Sequence, residues 1–464
     1  MSEMNKLGFV FVWLILAISS QARIITVDDD GPADFTTIQS AIDDANDGDT
    51  VFVADGIYRG DGNRDIDFKG KAITLRSENG PEKCIINCER TMVHRGFYFH
   101  SGEDFDSILS GFTITNGYLF EGDGAGIYLR SSSPTIEGCI ITNNEVGYLG
   151  IIMDSHGGGI YCGYNSSPTI TNSIISNNKA TCSEAGWSFS FGAGVYCSST
   201  SSARLTGCTI SGNLASLEIG GGILNDGGNV VLTKCVVTGN TVGVDSYGGS
   251  LILTQCIFST NFCSLGIGPG KARLINCTFA GNLYGIGVSP YLDYELILTN
   301  CILWGNPPPP EIGVGIGTVL ATDSDIQGGW PGEGNINVDP CFAKPGYRDP
   351  NGTPLDPSDD SWTEGDYHLK SQAGRWDTTE GRWTIDEVTS LCIDAGDPTS
   401  PIGIEPFPNG GIINMGAYGG TREASKSYFG ESVCETIVAG DINGDCVVNL
   451  KDFALIAYHW LEER

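Results

Sequence analysis

The sequence predicts an all-β chain wound as a right-handed parallel β-helix, and three observations predict it. The first is a recurring unit. It reads SPTIEGCIITNN at 133–144, ARLTGCTISGN at 203–213, VVLTKCVVTGN at 230–240, LILTQCIFSTN at 251–261, ARLINCTFAGN at 272–282 and LILTNCILWGN at 296–306. SPTITNSIISNN at 167–178 carries Ser173 in the cysteine slot, and ILSGFTITNG at 108–117 carries Phe112 there. The anchors Phe112, Cys139, Ser173, Cys208, Cys235, Cys256, Cys277 and Cys301 stand 21 to 35 residues apart, a period that marks a solenoid. The shortest unit is too short for a helical hairpin and long enough for one β-coil.

The second observation is the apolar pattern inside each unit, at −3, 0 and +2 from the anchor, as in Leu253, Cys256 and Phe258. A single strand alternates with period two, so an odd step of three requires the chain to turn. Gly and Asn dominate the position before the anchor, as a left-handed turn residue demands. The third is the Asn five residues after each anchor, from Asn144 to Asn306. Stacked parallel strands repeat every ~4.8 Å, so these side chains form a column able to pass amide hydrogen bonds from coil to coil. GAGIYL (124–129), GGGIYC (157–162), GAGVYC (192–197) and GGGILN (220–225) supply a third strand, with β-branched and aromatic residues expected to face inward.

Around this solenoid the chain divides into a signal peptide (1–22), an N-terminal cap with the first coils (23–107), the repeats (108–330), an irregular C-terminal cap (331–430) and a terminal segment (431–464). Lys6, the apolar run Leu7–Ile18 and Ser20-Gln21-Ala22 have the order of a cleavable secretory signal. The run is short for a membrane span, so a secreted or cell-surface protein without a span after processing is expected. A net charge of −31 excludes nucleic acid as a partner class. Sixteen cysteines in an exported chain invite disulfides, yet six lie in one inward column whose spacing exceeds the ~3.5–4.5 Å a bridge tolerates. Buried thiols are expected there, with Cys434–Cys446 as the favoured disulfide and Cys84–Cys88 and Cys341–Cys392 as weaker ones.

Residues 35–58, FTTIQSAIDDANDGDTVFVADGIY, contain an amphipathic helix from Thr37 to Ala45 with Ile38, Ala41, Ile42 and Ala45 on one face, capped by Thr36 or Thr37. Strands at Thr50–Ala54 and Ala72–Arg76 follow. FTTIQSAI and GDTVFVADGIY resemble the opening of pectin-lyase-fold proteins, in which a short helix plugs the first coil. That resemblance implies a superfamily rich in polysaccharide lyases, glycoside hydrolases and pectin esterases. NVDPCF, GDYHLKS, SLCIDAGDP and INMGAYGG resemble the closing region of secreted bacterial β-helix proteins, which implies a cap over the open end of the solenoid.

The terminal segment carries DINGDCVVNLKD at 441–452, followed by FALIAYHWL. Asp441, Asn443, Asp445, Asn449 and Asp452 fall at positions 1, 3, 5, 9 and 12 of a Ca2+ loop, with the Val447 carbonyl at position 7. Asp at position 12 resembles the dockerin repeat and implies a cohesin-like partner or a cell-surface anchor. Cys446 replaces the usual Gly, and one loop stands where dockerins carry two.

Chemistry is expected at the long insertions 117–123, 145–156 and 179–191, which leave the same corner of successive coils. They gather Tyr118, Phe120, Tyr148, Trp187, Phe189 and Phe191, ring faces suited to sugars, with Asp123, Asp154, His156 and Glu184. Catalysis by elimination needs a base, and Lys179 is the candidate beside Asp154, Glu184 and His156. The chain is therefore expected to bind or process extracellular polysaccharide. The alternative is a non-catalytic surface or adhesion module anchored by its tail.

Overall fold

The computed structural model describes residues 22–464 apart from 91–92, 121, 149–154, 183–189, 217–219, 307–309, 350, 352–360, 431–439, 441–447 and 461–464. Among the described residues, three long parallel sheets of 12, 11 and 8 strands run side by side; the coils between Phe97 and Val288 contribute a strand to each sheet, and the end coils only to the first two. We call them the first, second and third sheets in that order. Strands Leu251 to Leu253 and Ala272 to Leu274 pair in register, as do Phe258 and Phe279 across the second sheet. The side chains at the alternate positions meet in one continuous core that runs from Ile25 to Ile326.

The turn residue before each anchor is left-handed at every coil. Gly138, Asn172, Gly207, Lys234, Gln255, Asn276 and Asn300 have φ between 48° and 62°. This one inverted residue aims the −3 and 0 side chains at the same interior. The anchor cysteines from Cys139 to Cys301 are buried thiols. Ser173 takes the same slot by donating its Oγ to the Thr171 carbonyl and accepting the Cys139 N–H.

At the next corner the Asn column is closed on itself. Each backbone N–H and each Nδ2 donates to the Oδ1 of the Asn one coil on, at 2.8–3.1 Å, from Asn144 through Asn178, Asn213, Asn240, Asn261 and Asn282 to Asn306. The buried carboxylate of Glu311 accepts from Asn306 and ends the series.

The plug helix spans Ile38–Asp44, with Ile38, Ala41 and Ile42 buried in the mouth of the solenoid. The cap position is as expected, but the hydrogen bond there comes from elsewhere. Thr37 holds the N-cap position but its side chain makes no cap hydrogen bond; the Ile38 N–H donates instead to Oδ1 of Asn63, 25 residues on. Lys71 Nζ satisfies the other end by donating to the carbonyls of Ile42, Asp43 and Ala45. The neighbouring strands are Thr50–Val53 and Thr74–Ser77.

Three further expectations are corrected. Cys84, Cys88, Cys341 and Cys392 are free thiols, so neither weaker disulfide forms; Cys392 Sγ donates to Asp325 Oδ2 at 3.2 Å. Cys434 and Cys446 lie outside the described residues. The tyrosines of the third sheet face outward, because Ile127 and Leu129 take the inward positions that flank Tyr128.

The third correction concerns the C-terminal region, which does more than cap the end. Residues 330–338 close the last coil, where Asn335 donates to the Ala321 carbonyl and accepts from Ser324 N. The chain then folds back along the outer face of the second sheet. Phe342, Tyr367, Leu369, Ile393, Met415 and Ala417 pack there on Ile257, Ala280 and Ile302. Glu364 accepts from Ser259 and Thr238, and Gln255 donates to the Gly419 carbonyl. We call residues 339–428 the C-terminal arm.

Candidate functional site

On the third sheet the outward position is aromatic in four successive strands. Tyr98, Tyr128, Tyr161 and Tyr196 stand in register. Parallel pairing brings equivalent side chains close enough to stack, and the ring centroids lie 5.1, 5.0 and 5.4 Å apart. Glycines before two of these strands lie against the row: with φ +69° and +61°, a Cβ at Gly124 or Gly192 would lie 2.9 Å from the Cβ of Tyr128 or Tyr196.

Charged groups edge the row. The Arg95 guanidinium lies over Tyr98 and Tyr128, 5.0 and 4.8 Å from their centroids. Burial lowers its pKa from the ordinary value, and its Nη1 is buried with no hydrogen-bond partner among the described residues. Arg130 lies over Tyr164 at 4.7 Å, and His100 stacks on Tyr98 at 4.0 Å. Tyr196 donates its hydroxyl to Asp226 at 2.6 Å, and burial together with that carboxylate pushes its pKa up.

The row has a covered end and an open end. Tyr161 and Tyr196 are 6% exposed. His156 packs on Tyr196 at 4.3 Å and stacks on Phe191 at 5.7 Å. Its Nδ1 and backbone N–H both meet Asp123 Oδ1, at 2.8 and 2.9 Å. Tyr98 and Tyr128 stay half-buried, and Tyr164 is exposed beside them.

Of the residues singled out from sequence, the structure brings His156, Asp123 and Phe191 together over the tyrosine row. Tyr118 lies elsewhere, under Arg90 at 5.4 Å, in an outward column that continues through Glu145 and Lys179 to Leu214. Lys179 is exposed in that column next to Glu145, which pairs with Arg90. Phe120 is half-buried. Tyr148 belongs to the strand Glu145–Tyr148, and its side chain lies outside the described residues, as do Asp154, Glu184, Trp187 and Phe189. The row itself was missed, although GIYL, GIYC and GVYC place Tyr next to an inward Ile or Val; strict alternation would have turned it outward.

For a metal, the terminal loop has two described members. Asp452 is buried in the first turn of the helix Leu450–Trp460, and its Oδ2 accepts the Asn449 N–H at 2.7 Å. Asp441, Asn443, Asp445 and Val447 lie outside the described residues. Elsewhere among the described residues, Asp28, Asp29 and Asp30 bring carboxylate oxygens within 4.8 Å on an open turn.

Comparison with known proteins agrees with this architecture. The family described as right handed beta helix region matches residues 52–267 and 151–327, together more than half of the 464, and the chain belongs to it. The crystal structure of pectate lyase Pel9A superposes with a TM-score of 0.52 at 17% identity, covering 86% of this chain and 96% of that one. That likeness is one of fold. No curated protein matches.

Proposed function

We propose that this chain is an extracellular polysaccharide-binding β-helix whose contact surface is the tyrosine row of the third sheet, entered from its open end at Tyr98, Tyr128 and Tyr164. The observation that carries the reading is the row itself. Its rings repeat at the coil spacing, as a polymer of repeating rings requires, and Tyr98 and Tyr128 at its open end are the ones a ligand reaches. The stacked rings turn their edges and hydroxyls outward, giving apolar C–H and hydrogen-bonding contacts at each coil, while Arg130 and His100 offer donors to hydroxyl groups. The similar crystal structure is that of a pectate lyase, which supports the class of ligand, and the signal-like order of residues 1–22 supports the compartment.

A second reading is processing, favoured by the His156–Asp123 pair. A carboxylate on Nδ1 orients an imidazole for proton transfer, and this pair sits against the covered end of the row. In the same proposal the terminal loop holds Ca2+ through Asp441, Asn443, Asp445, Val447, Asn449 and Asp452 and docks the protein to a cohesin-like or cell-surface partner.

Affinity electrophoresis of the full chain against acidic and neutral polysaccharides tests the binding reading, with Tyr128→Ala beside the wild type. Retardation should fall on the order of tenfold in apparent affinity for the variant, equivalent to about 1.4 kcal/mol. Equal retardation of both proteins by every polysaccharide sinks it. Assay of the same mixtures for new reducing ends or unsaturated products separates processing from binding, and His156→Ala should abolish any cleavage while retaining retardation.

A further inference from the structure

The left-handed turn column reads Gly111, Gly138, Asn172, Gly207, Lys234, Gln255, Asn276, Asn300 and Asp323 along the solenoid. Gly, Asn and Asp adopt this conformation with least strain. Lys234 and Gln255 are the departures, and they occupy adjacent coils. The side chains of the later members hold the C-terminal arm. Gln255 Nε2 donates to the Gly419 carbonyl at 2.7 Å, Asn276 Nδ2 to the Asn414 carbonyl at 2.9 Å, and Asn300 Oδ1 accepts from Asp397 N at 2.6 Å.

Lys234 is the next residue in the column, one coil beyond these contacts. It lines a cavity of about 550 Å³ between the second sheet and the arm. That volume lies within the ~300–1,000 Å³ of small-molecule sites. Arg422 faces the same space from the arm. Neither cation has a carboxylate partner among the described residues, in a chain whose net charge is −31. The other titratable groups in the wall are Tyr418, Glu423 and the buried thiol of Cys235, and Glu423 Oε2 turns toward the buried His368 at 3.4 Å. Val236, Ile257 and Ile404 supply an apolar floor.

We propose that this cavity binds a small amphipathic organic carboxylate, its charge set between Lys234 and Arg422 and its apolar body on Val236, Ile257 and Ile404. The site is separate from the tyrosine row, which lies on another sheet. Lys234 keeps a strained turn position because its ammonium is used there, as Gln255 keeps its own by holding the arm.

Isothermal titration of the full chain with 2-naphthoate tests this, with neutral 2-naphthamide and inorganic phosphate as the other arms. One saturable site for naphthoate is expected, with naphthamide and phosphate each at least about tenfold weaker. Lys234→Asn and Arg422→Gln should each weaken naphthoate by about tenfold or more. Lys234→Asn keeps the fold, since Asn stands at the same turn in three other coils, and an unchanged or raised Tm verifies that. Absence of saturable naphthoate binding overturns the proposal. So does undiminished binding by either variant. Phosphate binding as tightly as naphthoate overturns the amphipathic assignment, and naphthamide doing so removes the charge from it.

Discussion

A buried Asn in the corner column makes more hydrogen bonds than its size suggests. Asn240 donates its Nδ2 to Asn261 Oδ1 and to the Ile210 carbonyl, and its own Oδ1 accepts both N–H groups of Asn213. Removing one amide therefore strands donors and acceptors on two coils in a dry interior, where each unmet group costs about 1–3 kcal/mol. Asn240→Ala should lower the unfolding free energy by about 3–5 kcal/mol in urea titration, near the top of the range for single substitutions. A loss under 1 kcal/mol would mean that water enters the corner and replaces the amide. The turn column carries the opposite expectation. Lys234 is left-handed at φ 53°, a conformation that Asn adopts more readily. Lys234→Asn should raise stability by up to about 1 kcal/mol, read in the same titration.

Strand by strand, the anchor slot accepts whatever fills it without disturbing the turn. Cys235 is buried, with Sγ 3.5 Å from the Thr233 carbonyl, and Ser173 holds the same position with its Oγ on the Thr171 carbonyl at 2.9 Å. Cys235→Ser should cost about 1 kcal/mol or less, whereas Cys235→Leu should cost about 1–3 kcal/mol by overpacking against its stacked neighbours. Burial also pushes the Cys139 thiol up to about 11, which leaves little thiolate at neutral pH. Iodoacetamide should leave the six column cysteines unmodified in the native protein and alkylate all six in denaturant without reductant, as peptide mass mapping would record. These coil elements were legible because each needs one residue type at one spacing: Gly or Asn where φ is positive, Asn where amides stack, a small apolar group at the anchor. The tyrosine row was legible in principle by alternation. It was hidden because an aromatic residue next to a buried Ile reads as core until the neighbours on both sides are placed.

At the scale of the whole molecule, the arm was not legible. Its contacts join residues such as Gln255 and Gly419, 164 apart, and no local period announces them. The last coils and the arm also hold the carboxylates that govern how the fold responds to pH. Glu311, 2% exposed at the end of the Asn column, is pushed up to about 7 by burial. Burial likewise pushes Glu405, inside the arm, up to about 7, and Asp325, in the last coil against Cys392, up to about 6. In each case the folded chain keeps a proton that the unfolded chain releases. The stability these groups contribute is full below the unfolded values near pH 4 and is lost as pH rises to about 7, after which it no longer changes. A displacement from 4.5 to about 7, as at Glu311, corresponds to a contribution on the order of 3 kcal/mol. Asp49, Asp366 and Asp397 are held below their ordinary range by hydrogen bonds and neighbouring cations or donors, so they withdraw stability only below about pH 4. The two sets place the optimum near pH 5. Scanning calorimetry should therefore give a higher Tm at pH 5 than at pH 8, and Glu311→Gln or Glu405→Gln should each flatten that slope. A Tm that falls steadily from pH 8 to pH 5 would instead put those carboxylates in contact with water, in the last coils at Glu311 and Asp325 and inside the arm at Glu405.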